Sequence, residues 1–306
     1  MKKSIIATVL MAALAFQPLA ALADAAVGDS IVTIGDNLNA QQRNDVLRYF
    51  NAPEGVQQIT VSIDEERYYL GNSVPAAQIG NSTNSCAMVT YTAKGSGIHV
   101  TTNNINYVTP SAYESALLTA GVTDADVKVT APFEVSGTGA LTGIIKAYEV
   151  SSGQQISDDV KKAATQELVT NADLSKTLGE EKSTAVINDI KKRIATEKPQ
   201  NANDIKAIVD KILADYNIQL TEAQYKQLLD TINQLATLNI DWNALSNNLN
   251  KWAHQANDYL NTEEGQNFLS KLGGWFENFV SWFTNLVSGS SNDPANDTGN
   301  DANEGQ

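Results

Sequence analysis

Apolar positions along this chain repeat with two periods, one in the first half and another in the second. Residues 30–34 and 58–63 are short β-branched runs, and between them Val46, Leu47 and Phe50 share one face of a helix over 40–50, so the chain opens on a β-α-β unit. Residues 87–92 and 97–101 read as two more strands. The segment Lys94-Gly-Ser-Gly97 offers the positive φ that a hairpin connection needs, which predicts that these two strands pair with each other. Thr109-Pro110 supplies an N-cap and a first helical position where the missing N–H of proline costs nothing, and Gly121 supplies a left-handed stop. The helix between them, over 111–120, leads to a strand over 126–130. The run 127–149 then reads as strand, glycine-bearing turn and helix start.

Beyond residue 150 nearly every window carries a helical period. Ile205, Ile208, Val209, Ile212, Leu213 and Tyr216 form one stripe after Asn203, and Pro199 stops the helix before it. Thr221-Glu-Ala-Gln224 is a capping box that starts a helix with Leu228, Ile232 and Leu235 on one side. Asp241 likewise precedes Trp242, Leu245, Leu249 and Trp252. Stripes of this kind bury against one another in a bundle. The fold expected is therefore an α+β N-terminal domain with a mixed sheet, residues 24–150, followed by an all-α helical C-terminal domain, residues 151–287. Residues 288–306 are Gly, Ser, Asn and Asp-rich with no large apolar side chain, the composition of a disordered acidic tail.

The N-terminus places the protein. Lys2-Lys3 precede an apolar run that closes on Ala21-Leu22-Ala23, the pattern of a secretory signal peptide over residues 1–23. Gln17 and Pro18 interrupt the run, which falls short of the roughly 20 apolar residues of a membrane span. The expected product is secreted, or held non-covalently at the cell envelope. Cleavage would remove Lys2 and Lys3 and no acid, taking the net charge from −14 to −16. That charge excludes nucleic acid as a partner, because duplex binding needs a basic face. The single cysteine, Cys86, rules out an intramolecular disulfide and is read as a small buried residue.

The candidate chemistry is sparse. Ser136, Gly137, Thr138 and Gly139, with Gly143 beyond, form a turn that could hold an anion on backbone N–H groups or pack closely. Packing, with Ser136 as N-cap, is the favoured reading. Pro132 and the nearness of Glu149 do not fit a dinucleotide fingerprint, so no cofactor is expected. The two histidines, His99 and His254, stand in no triad context, and no metal-ligand spacing appears. Asp64, Glu65, Glu66, Asp124 and Asp126 stand at strand ends, where a pair could serve a glycosidase, although acids in so acidic a chain are usually solvated. Trp275, Phe279, Trp282 and Phe283 share a face of a short amphipathic helix. They suit a partner groove or peripheral membrane contact, or the end of the bundle core, which is favoured because it buries them within the chain.

Ile34-Gly-Asp-Asn-Leu38, Val74-Pro75, Asn104-Ile-Asn106, Ala116-Leu-Leu-Thr-Ala-Gly-Val122 and Val135-Ser-Gly-Thr-Gly-Ala-Leu-Thr-Gly143 follow one another along the chain. Read together they resemble the YpuA-like family of secreted Gram-positive proteins, a domain of unknown function, over roughly residues 28–260. The resemblance implies an exported protein and carries no catalytic residue with it. Function is therefore read as non-enzymatic binding of an unknown envelope component or protein. The alternatives are a carboxylate-dependent cell-wall hydrolase and a membrane-surface protein held by the aromatic helix.

Overall fold

The computed structural model describes residues 26–71 and 79–260, with side chains through 253. The expected signal peptide, the aromatic segment carrying Trp275, Phe279, Trp282 and Phe283, and the acidic tail lie outside the described residues, and so does the side chain of His254.

Five strands form one mixed sheet: β1 (Ser30–Gly35), β2 (Gln57–Val61), β3 (Cys86–Tyr91), β4 (Ile98–Ile105) and β5 (Ala125–Val135), in the order β2-β1-β3-β5-β4. Helix α1 (Ala40–Phe50) crosses from β1 to the parallel β2, completing the β-α-β unit. Helix α3 (Pro110–Thr119) makes the equivalent crossover from β4 to the parallel β5. Antiparallel β3 joins the two halves.

The hairpin expected between residues 87–92 and 97–101 does not form. β5 lies between the two strands, Val127 pairing with Val89 on one side and with Val100 on the other. The turn itself is real, since Gly95 and Gly97 hold φ of 92° and 84° and both donate N–H to Asp124 Oδ1. A glycine turn specifies a local change of direction and leaves the strand partner open. The partner is decided by burial, and Val127 and Val129 bring a fully buried apolar pair to the centre.

β5 also runs further than residue 130, through Pro132 to Val135. Its pairing with β4 shifts register between Asn103 and Ile105, where Asn104 holds a positive φ of 57° and its Nδ2 donates to Ala131 O. The bulge accommodates a proline that regular ladder pairing would reject.

Both sheet faces are covered, as alternation along β1 shows. Val32 and Ile34 pack with Val46, Phe50 and Cys86 beneath α1, while Ile31 faces the opposite core with Val89, Val127 and Leu141. That second core is closed by α3 and by α4 (Thr138–Ser152), and it continues onto Ala164, Leu168 and Ala172 of α5 (Asp158–Leu178) and Leu245 and Leu249 of α9 (Trp242–Leu260).

The helices α6 (Glu180–Glu197), α7 (Ala202–Asp215) and α8 (Glu222–Ala236) close a further core around Ile187, Ile190, Val209, Ile212 and Ile232. Thr221 and Gln224 make the expected capping box. The cap of α7 is Asn201 rather than Asn203, because the Asn201 side chain accepts from the N–H groups of both Asn203 and Asp204. The observed fold is thus a mixed sheet with helices on both faces, followed by a run of helices.

One helix was not expected. Residues 63–70 are α2 (Ile63–Leu70), opened by a capping box between Ser62 and Glu65. The extended run ends at Val61, and the acids that follow it belong to a helix rather than a strand end.

Candidate functional site

The strand-turn-helix at the centre of the sequence reading is filled from within. Gly137, at φ 94°, is the N-cap of α4 and offers no capping side chain, so Ser136 does not cap the helix. Ser136 Oγ lies 3.2 Å from Thr138 Oγ1 instead. The left-handed residue turns the chain so that Tyr113 Oη donates to Gly137 O at 2.5 Å. Thr138 Oγ1 in turn donates to Glu66 Oε1 at 2.6 Å, and Thr83 Oγ1 to Glu66 Oε2 at 2.9 Å. A carboxylate of the chain itself therefore stands at the positive end of α4, where an outside anion would sit.

The glycines allow this approach. A Cβ on Gly139 would stand 2.7 Å from Glu66 Oε2, and one on Gly143 would stand 2.4 Å from Thr33 Oγ1. Burial raises the Glu66 carboxyl above its ordinary range, with the bonds from Thr138 and Thr83 pulling the other way.

The candidate acids do not converge on a cleft. Glu66 is buried, whereas Asp64 is exposed. Glu65 pairs with Lys146 at 2.5 Å, and Asp124 is engaged by the Gly95 and Gly97 amides at the far end of the sheet. Asp126 and His99 are exposed on strands β5 and β4. Cys86 is buried, and burial pushes its thiol up to about 11. Among the described residues no group of three His, Cys, Asp or Glu side chains could hold a metal ion. No helix among them is long and apolar enough to cross a membrane.

Sequence reasoning missed a polar cluster inside the helical layers. Lys191 Nζ lies 2.7 Å from Glu167 Oε1, and neither side chain has any exposure. Lys191 also donates to Ser115 Oγ at 2.9 Å and to Thr119 Oγ1 at 3.1 Å, while Ser115 and Thr119 each donate to Glu167 at 2.6 Å. Burial lowers the Lys191 ammonium against the opposing pull of Glu167. The cluster ties α3, α5 and α6 together and is sealed from solvent, so it holds helices rather than meets a ligand. A signal existed, since Lys191 falls in the helical stripe of Ile187, Ile190 and Ile194.

The accessible concavity lies elsewhere. A groove of about 420 Å³ runs between the end of α3, the segment joining α4 to α5, and the start of α9. Its floor is apolar, formed by Leu118, Ile156, Val160, Ile240 and Leu245. Its rim carries Thr123, Gln155, Ser157, Asn239 and Asn248, with Asp241, whose carboxylate accepts from the Ala244 N–H. No lysine, arginine or histidine lines it.

A smaller concavity shares Leu118, Thr123 and Asn248 with the groove and extends it to Lys251 and Trp252. The Trp252 indole is fixed there by its N–H donating to Glu114 Oε2 at 2.7 Å, while Glu114 Oε1 accepts from Val100 N–H at 2.9 Å. Burial raises the Glu114 carboxyl, and those two bonds oppose it.

Comparison with known proteins adds a family to this geometry. The family model described as "Protein of unknown function (DUF1002)" matches residues 34–252. The chain belongs to that family. It is 45% identical over 260 residues to "Uncharacterized protein YpuA" of Bacillus subtilis (strain 168), covering 85% of this chain and 90% of that protein. No solved structure matches the chain. The matched region includes strands β2 to β5, the Glu66 turn, the buried Lys191–Glu167 pair and the groove. The family description assigns no chemistry to any of them.

Proposed function

We propose that this DUF1002 protein is an exported protein, released or held non-covalently at the cell envelope, that acts by binding an uncharged ligand rather than by turning one over. Export rests on the Lys2-Lys3 and apolar N-terminal pattern with its Ala21-Leu22-Ala23 site. The observation that carries the binding reading is the groove beside α9: an apolar floor, a polar rim without cations whose one carboxylate, Asp241, is engaged by the Ala244 N–H, and a volume of about 420 Å³, within the range of ligand pockets. Elsewhere two carboxyls raised by burial are engaged internally. Glu66 is held by Thr83 and Thr138, and Glu114 by Trp252 and Val100. A hydrolytic pair would need two carboxyls facing one substrate across roughly 5–10 Å of open cleft, which exposed Asp64 and buried Glu66 do not offer.

The test is fractionation followed by binding. Tagged protein should be recovered outside the cytoplasm with its N-terminus at Asp24, and purified mature chain should co-sediment with Gram-positive wall sacculi without releasing soluble fragments. Retention in the cytoplasm, or release of fragments by wild type, would overturn the reading.

A further inference from the structure

The lining of the groove narrows the chemistry of what fills it. We infer that the ligand is a neutral glycan bearing N-acetylated amino sugars, a deepening that rests on the binding role proposed above. Three amides, Gln155, Asn239 and Asn248, face the groove with no intramolecular hydrogen bond from their side chains among the described residues. An amide presents donor and acceptor together, the pairing that neighbouring sugar hydroxyls return. A purely apolar ligand would strip water from these amides and return no bond, which costs affinity.

Charge removes the anionic polymers. With a net charge of −14 on the chain and no cationic side chain in the main groove, an anionic chain would meet repulsion and find no counter-charge. The one cation nearby, Lys251, stands at the extension.

The apolar floor then selects within the neutral sugars. Leu118, Ile156 and Ile240 line the same groove as the amides, and a plain hexose brings only its C–H face to such a floor, whereas an acetamido group adds a methyl for the floor and an amide for the rim. At the far end Trp252 is a plate already held by Glu114, so a sugar ring stacked there would not bear the cost of ordering it.

Titration calorimetry of the mature full-length chain with N-acetylglucosamine tetramer, glucose tetramer and a neutral tetrapeptide tests the inference. Gln155 and Asn239 are exposed, so Gln155→Ala and Asn239→Ala should leave the fold intact, as circular dichroism can verify. The expected result is binding of the N-acetylated tetramer at least tenfold tighter than the glucose tetramer, weakened roughly threefold to tenfold by each substitution, the value of one hydrogen bond. Equal affinity for both sugars, preference for the peptide, or affinity unmoved by both substitutions would overturn it. Sacculus binding that persists while no tetramer binds would overturn the glycan assignment and leave the binding role standing.

Discussion

Lys191 Nζ and Glu167 Oε1 lie 2.7 Å apart with both side chains fully removed from solvent. Their bond joins α6 to α5, and through Ser115 and Thr119 it also joins α3, the crossover helix of the sheet. A buried pair of this kind is costly to break and cheap to replace, because the penalty lies in leaving one charge uncompensated. Lys191→Met should therefore destabilise the protein by about 3–5 kcal/mol, and the double variant with Glu167→Leu should recover at least half of that loss. Urea unfolding of the three proteins measures it. A double variant as unstable as the single one would show that the hydrogen bonds of Ser115 and Thr119, rather than the charge pair, hold the helices.

The glycines of α4 make a prediction of sign. In an exposed helix, Gly→Ala gains roughly 1 kcal/mol. Gly143→Ala would place its Cβ 2.4 Å from Thr33 Oγ1 and 2.9 Å from Thr33 Cβ, so here the substitution should lower the unfolding midpoint. Adding Thr33→Ala, which removes the nearest atom, should restore part of the loss. A stabilised Gly143→Ala protein would mean that α4 does not sit so close to β1.

Glu66 predicts a dependence on pH. Its carboxyl is raised above the ordinary 4.5 by burial, so the native state holds that proton more tightly than the unfolded state does. Between 4.5 and the raised value the folded state binds more protons, and stability from this group falls as pH rises through that window. Glu66→Gln keeps groups that can bond Thr83 and Thr138 and removes the titration. The stability of the variant minus that of wild type should therefore increase from acid to neutral pH, and a constant or decreasing difference would contradict the raised carboxyl.

Cys86, buried under α1 with its thiol pushed up to about 11, should resist iodoacetamide at pH 8 in the native protein and react on unfolding. Rapid native labelling would place the thiol at the surface instead.

Much of the fold was legible because its elements announce themselves locally. Thr109 and Thr221 cap their helices, and Gly121 takes the positive φ of 83° that its place after α3 requires. What was not legible was long-range choice. The Lys94–Gly97 glycines predicted a hairpin, yet β5 takes the position between β3 and β4 from outside that window. Helix α2 was missed although Ser62 and Glu65 spell its capping box, because the strand pattern before them was extended too far. Lys191 was hidden by its class, since a lysine in an apolar stripe is usually read as surface. The groove has no sequence signal at all: its walls come from three segments that only the packing of α9 against α3 brings together.

The central claim is that the face between α3 and α9 meets the ligand. Hydrogen exchange of the mature chain with and without wall sacculi tests it most directly. The account predicts slowed exchange over residues 118–123, 155–160 and 239–252, with the amides around Glu66 and around Lys191 unchanged. Protection confined to the Glu66 turn, or no protection anywhere, would contradict it.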